Sequence, residues 1–182
     1  MKILRKLIFL VFILILTACG GGREEFRKTL AKGRVNTSNF TMDMTIEDIE
    51  AEFGKPGTEQ EILDWGYYGY EDFGIFFNNK LTYIEGVEVK ETNKAENSVA
   101  FVRWFKNISI FGVILDFTKT DKLFELLGQP DELYIIKPED KYGSFFSGQK
   151  FKYISGKYSL IVGVNDRNTV TDIILGPKDL KL

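Results

Sequence analysis

The chain has 182 residues, 44% apolar and 27% charged, with a formal net charge of −2. This is the composition of a globular protein of one domain or two small ones, without the basic tract of a nucleic-acid binder. There is no histidine, and Cys19 is the single cysteine; these two facts remove the Ser-His-Asp and Cys-His arrangements, most zinc sites and any internal disulfide.

The first elements belong to targeting. Lys2, Arg5 and Lys6 form a positive n-region, and residues 7 to 16 are an unbroken apolar run. Ten residues of helix cover about 15 Å, roughly half a hydrocarbon core, so the run predicts a signal h-region rather than a spanning helix. Leu16-Thr17-Ala18-Cys19-Gly20 resembles a bacterial lipobox, which implies diacylglycerol on the Cys19 sulfur and cleavage before Cys19. Residues 1 to 18 are thus expected to be a lipoprotein signal peptide and 19 to 30 a lipidated tether. The predicted location is extracytoplasmic, anchored to the bacterial cell membrane or an outer membrane. Removing the three basic residues of the signal from the 24 leaves 21 against 26 acidic, a balance of −5. Acyl chains rather than charge must then hold the protein to a membrane.

Residues 24 to 32, EEFRKTLAK, predict a short helix ending at Gly33. A pattern then occurs twice, as TMDMTIEDIEAEFGKPG (residues 41 to 57) and LDFTKTDKLFELLGQPD (residues 115 to 131). Thr45 with Asp48 and Thr118 with Asp121 have the spacing of capping boxes. Ile46, Ile49 and Phe53, and Leu123, Leu126 and Leu127, lie at helical spacing. Gly54 and Gly128 suit the residue after a helix end, and Pro56 and Pro130 block continuation. An offset of 74 relates Gly54 to Gly128, Pro56 to Pro130, Tyr68 to Tyr142, Gly69 to Gly143 and Gly74 to Gly148. These matches predict a duplication, with repeat 1 over residues 31 to 105 and repeat 2 over 106 to 182.

Strand signals follow each helix: residues 64 to 70, 74 to 79 and 81 to 89 in the first copy, and 142 to 153, 157 to 164 and 169 to 175 in the second. Asn78-Asn79-Lys80, Ser155-Gly156 and Asn165 to Asn168 supply turns. Residues 90 to 98 predict a loop and 99 to 105 a further strand. The expected fold is α+β, two helix-plus-antiparallel-meander units forming a curved sheet with helices on one face.

The T-x-x-D…G-K-P helix, followed by Y-x-x-Y (Tyr67 and Tyr70), a glycine and FFNNKLTYI (residues 76 to 84), resembles the YjgB-like family of bacterial lipoproteins. Ala31-Lys32-Gly33-Arg34-Val35, Phe53-Gly54-Lys55-Pro56 and Leu127-Gly128-Gln129-Pro130 carry the same resemblance, which spans about residues 31 to 177. More distantly, the repeat is similar to the helix-plus-meander unit of the β-lactamase-inhibitor-protein fold and of BamE-type assembly lipoproteins. The resemblance implies a fold and a location, and no chemistry.

Of the remaining raw material for catalysis, Glu71-Asp72 and Glu139-Asp140 are acidic pairs without the spacing evidence a glycosidase pair requires. Asn165 to Asn168 lacks the ligand spacing of an EF-hand and predicts a hairpin turn. Seven aromatics occupy the thirteen positions from Trp65 to Phe77. Strand alternation puts Trp65 and Tyr67 on one face and Tyr68 and Tyr70 on the other. Trp65, Tyr67 and Trp104 are the candidate partner-binding residues, against the alternative that all are core. No catalytic residue, metal or cofactor is expected. The expected function is a non-catalytic, lipid-anchored binding module for an envelope protein or polymer. The alternatives are a BamE-like structural component of envelope assembly and a carboxylate-based envelope enzyme.

Overall fold

The computed structural model describes residues 22–63, 65–78, 99–106 and 108–182. Cys19, the signal segment, the predicted strand at 81 to 89 and the predicted loop at 90 to 98 lie outside these residues. Among the described residues no helix is long and apolar enough to cross a membrane.

The chain is α+β. A helix over residues 22–30 (α1) opens it. Next come α2 (Ile46–Phe53), β1 (Thr58–Ile62), β2 (Trp65–Gly69), β3 (Phe73–Phe77) and β4 (Val99–Trp104). A small hairpin, β5 (Ser109–Ile110) with β6 (Val113–Ile114), leads to α3 (Thr120–Leu127), β7 (Glu132–Ile136) and α4 (Gly143–Phe146). The described chain then runs through β8 (Gly148–Ser155), β9 (Tyr158–Val164) and β10 (Val170–Pro177).

Eight of the strands form one antiparallel sheet in the order β1-β2-β3-β4-β10-β9-β8-β7. Each helix, α2 and α3, is thus followed by four strands that run from one sheet edge to the centre, and β4 meets β10 in the middle. The central strands are covered on both faces, which is why β9, YSLIVGV, is buried at every position and shows no alternation. The edge strand β1 is exposed at four of five positions.

One face carries α1, α2 and α3. Phe26 and Leu30 of α1, Ile49 of α2 and Leu123 and Leu127 of α3 pack there on Tyr68, Ile75, Val102, Trp104, Tyr153 and Val162. The expectation of helices on one face alone is corrected by α4, whose Phe146 packs on the opposite face with Trp65, Phe76, Phe101, Ile161 and Ile174. The tether expected over residues 19 to 30 is also shortened. Phe26 and Leu30 are fully buried, so α1 belongs to the folded body. Arg23 of α1 donates to the carbonyl oxygens of Phe124 and Glu125 at the end of α3. Carbonyls left unpaired at a helix C-terminus are natural acceptors for such a cation.

Local signals explain the helix ends. Thr45 and Asp48 form the expected capping box on α2, with the Asp48 N–H donating to Thr45 Oγ1 at 3.2 Å and the Thr45 N–H to Asp48 Oδ2 at 3.0 Å. The second box does not form. Lys119 is the N-cap of α3 without a side-chain cap bond, and Thr118 Oγ1 instead accepts the Ile114 N–H at 2.7 Å. Gly54 and Gly128 end their helices at φ of 79° and 84° with ψ near ±180°, a backbone region that glycine alone occupies comfortably.

Four strands are invisible to the pattern, β1, β5, β6 and β7, and one predicted strand is in part a helix. The stretch 142 to 153 divides into α4 and β8. The 74-residue offset therefore relates α2 to α3 and β1 to β7, then fails. Tyr68 and Gly69 lie in β2, whereas Tyr142 and Gly143 begin α4. Three of the five matched positions are structurally unrelated.

Candidate functional site

Alternation in β2 places the aromatics as expected, with Trp65 and Tyr67 on the α4 face and Tyr68 on the other. They do not form an open platform. Trp65 is 8% exposed, enclosed by Phe101 and Tyr142 with ring centroids at 5.0 and 4.8 Å. Phe76 and Phe146 complete the enclosure. Two of its covers, Tyr142 and Phe146, come from the segment that sequence patterning assigned to a strand. Trp104 is 1% exposed and lies on the opposite face, edge-on to Phe40 at 6.3 Å. Trp65 and Trp104 are thus core residues, and the candidate set is not brought together. Tyr67 alone keeps part of its ring in solvent. That ring lies across Gly69 and Gly74, where a Cβ would collide with it.

Trp104 nonetheless helps line a pocket of about 540 Å³. Loop residues 36 to 39 form one wall. Glu52 and Phe53 from the end of α2, Asp72 and Phe73 from the start of β3, and Ile108 supply the rest. The wall is set by local bonds. Asn36 Oδ1 accepts the Phe111 N–H at 2.7 Å, Ser38 Oγ accepts the Phe40 N–H at 3.1 Å, and Asn39 Nδ2 donates to Glu52 Oε1 at 2.5 Å. Phe53 and Phe73 meet edge-to-face at 5.2 Å, forming an apolar wall beside amides and carboxylates. Mixed walls of this kind suit a polar ligand with some apolar surface. Asp72 of the first acidic pair is in this pocket. Asp140 of the second closes the turn after β7, its Oδ2 accepting the Lys137 N–H at 2.7 Å. Four strands separate β3 from β7, so the two pairs do not converge. Asn165 to Asn168 is the hairpin turn between β9 and β10, with Asn165 Oδ1 accepting from the Arg167 and Thr169 N–H groups.

A buried charge cluster on the α4 face had no sequence signal. Lys150, 1% exposed, places Nζ 3.1 and 3.2 Å from the two carboxylate oxygens of Asp172. Arg103 Nε is 3.7 Å from Asp172 Oδ2, and its guanidinium lies 4.9 Å from the Phe146 ring centre. Register aligns Lys150 with Gly163 and Gly163 with Asp172. The ion pair occupies the space above Gly163, where a Cβ would overlap both groups. Burial pushes the Lys150 ammonium below its ordinary range, and the Asp172 carboxylate opposes that. Nearby, Tyr134 Oη is buried without a hydrogen bond. Its pKa is pushed up to about 12, first by burial and then by Glu132 and Asp172. The alternating lysines of GQKFKYIS, Lys150 and Lys152, are both buried, and Lys152 Nζ donates to the Leu180 carbonyl oxygen at 3.5 Å.

No protein-family model and no curated protein matches the sequence. Among solved structures, the chain is similar to YjgB, a DUF4309 family protein of Bacillus subtilis, at 17% identity with a TM-score of 0.54 over 85% of this chain and 95% of that one. It also matches a cysteine-rich secretory protein of Staphylococcus aureus, at 8% identity and a TM-score of 0.46, over 76% of this chain and 45% of that one. An extracellular protein containing a SCP domain from Bacillus anthracis matches at 7% identity and a TM-score of 0.43, over 79% of this chain and 48% of that one. The chain spans about half the length of the last two. The YjgB likeness shows a shared fold.

Proposed function

We propose that this chain is a YjgB-like lipoprotein, two helix-plus-meander units held outside the cytoplasm by a lipid on Cys19, and that it binds an envelope polymer without transforming it. One observation carries the ligand reading: the pocket beside Trp104, where Asn39, Glu52 and Asp72 face Phe53 and Phe73. Amides and carboxylates beside aromatic walls suit a hydroxyl-rich, uncharged ligand. The acidic balance of the mature chain disfavours a polyanion.

The test is calorimetric titration of the protein with solubilised cell-wall glycan fragments. Binding is expected, and the Asn39→Ala and Asp72→Asn exchanges together should weaken it at least tenfold. Absent binding, or binding indifferent to both exchanges, overturns the ligand reading. The anchor is tested separately: Cys19→Ala should move the protein out of the membrane fraction and abolish labelling by a clickable fatty acid. A second reading, carboxylate chemistry, is favoured by Glu52 and Asp72 sharing the pocket. Glycan turnover that is lost in Glu52→Gln while binding persists would select it.

A further inference from the structure

The walls of the pocket beside Trp104 are tied by their own hydrogen bonds, and those bonds decide which polar atoms remain for a ligand. Asn36 Oδ1 accepts the Phe111 N–H at 2.7 Å, so the group Asn36 can still offer is its Nδ2 donor. Ser38 Oγ accepts the Phe40 N–H at 3.1 Å and keeps its hydroxyl hydrogen to give. Glu52 is opposite in character. Its Oε1 accepts from Asn39, and a carboxylate offers only acceptors, which leaves Oε2 to receive a donor. Next to Glu52 in the chain, Phe53 meets Phe73 edge-to-face at 5.2 Å, and the two rings make an apolar wall.

One cavity therefore asks its ligand for an acceptor, a donor and an apolar surface. A sugar hydroxyl answers the first two through a single oxygen atom and has nothing for the third. A secondary acetamido group answers all three through separate atoms: a carbonyl oxygen, an N–H and a methyl group. We infer that the pocket recognises a 2-acetamido sugar, an inference that rests on the glycan reading above. The acetyl carbonyl accepts from Asn36 Nδ2, the amide N–H donates to Glu52 Oε2, and the methyl lies on Phe53 and Phe73. Ser38 is left to donate to a ring hydroxyl. The acetamido group carries no charge, so it asks for no counter-ion from the walls. A volume of about 540 Å³ falls inside the range of about 300–1,000 Å³ usual for small-ligand sites, which suits a short sugar unit rather than a long run of polymer.

The experiment is calorimetric titration of the full chain with chitotetraose and with cellotetraose, oligomers of the same linkage that differ only in the acetamido group. Chitotetraose should bind roughly tenfold tighter or more. Asn36→Asp keeps an oxygen for the Phe111 N–H and replaces the Nδ2 donor by an acceptor. It should lose most of that preference, with an unchanged circular-dichroism spectrum. Saturation-transfer NMR on the unaltered protein gives a second readout: the acetyl methyl should receive the strongest transfer, because it lies on the two rings. Equal affinities, or a preference for cellotetraose, overturn the inference and leave the glycan reading standing. Binding of neither oligomer also overturns it, and titration with the wall fragments then decides the broader reading by itself. A preference untouched by Asn36→Asp, or strongest transfer to the sugar-ring protons, overturns the assigned contacts.

Discussion

Asp172 shows how one residue can hold several others. Its carboxylate is the counter-charge for both Lys150 and Arg103 in a nearly dry layer. Removing one member of a buried pair leaves the other charge uncompensated, which costs about 3–5 kcal/mol, whereas replacing both by apolar groups is often neutral. Asp172→Asn should therefore lower the denaturant midpoint sharply, and adding Lys150→Met should recover much of the loss. A double mutant no more stable than the single would show that the pair matters through something other than its charge. Chain-local patterning carries no trace of this cluster. Lys150 and Asp172 are polar letters on strands, and their pairing depends on β8, β9 and β10 lying side by side, with Arg103 reaching in from β4.

At the level of elements, the helix signals were legible because caps are local. Thr45 and Asp48 lie three residues apart, and Gly54 and Gly128 sit where the chain must leave the helix. Thr45→Ala should destabilise the protein by about 1 kcal/mol through lost capping. Thr118→Ala acts through the loop bond to Ile114 rather than through α3. Thermal melts of the two variants, together with amide exchange at Asp48 and Ile114, separate the two roles. The first variant should expose the Asp48 amide and the second the Ile114 amide. Strands β1 and β7 escaped notice for a physical reason. TEQEI has almost no apolar face because an edge strand needs none, and ELYII lies too close to the helix stop to stand out. The aromatic stretch was half legible: alternation assigned its faces correctly, but the covering of Trp65 by Tyr142 and Phe146 is a long-range fact. The pocket was legible only as its separate pieces, Asp72 and Trp104, since the loop from Asn36 to Asn39 that walls it carries no motif.

Across the whole molecule, buried phenols couple stability to alkaline pH. Burial raises the pKa of Tyr134 to about 12 and that of Tyr153 further, while an unfolded tyrosine titrates near 10. Between these values the unfolded chain has released protons that the folded chain retains. Stability is therefore intact below pH 10, roughly, and falls as pH rises above it. Lys150 acts in the opposite sense. Its lowered folded pKa makes the native state shed a proton first, which adds stability as pH rises through that value toward the unfolded one. Burial also raises Tyr67, Tyr70 and Tyr158, so phenols outweigh the one lowered ammonium and a net decline is expected in urea titrations from about pH 9.5 to about 11.5. Tyr134→Phe should reduce that decline by on the order of 1 kcal/mol, allowing for solvent screening, and leave neutral-pH stability equal or higher because an unpaired buried hydroxyl is gone. A decline of unchanged slope in that variant would assign the effect to other groups.

The position of β10 bears on how such a chain is made. It lies in the middle of the sheet, between β4 and β9, yet among the described strands it comes last in the chain. Until residues up to 177 have emerged, β4 and β9 each present a bare, strongly apolar edge at what will become the centre. Contacts within the array on either side are between neighbouring strands, which favours their early formation, and β10 would then complete the sheet from the inside. During synthesis the chain therefore passes through an interval with two sticky margins, and a chaperone that shields β-strand edges would matter most in that interval.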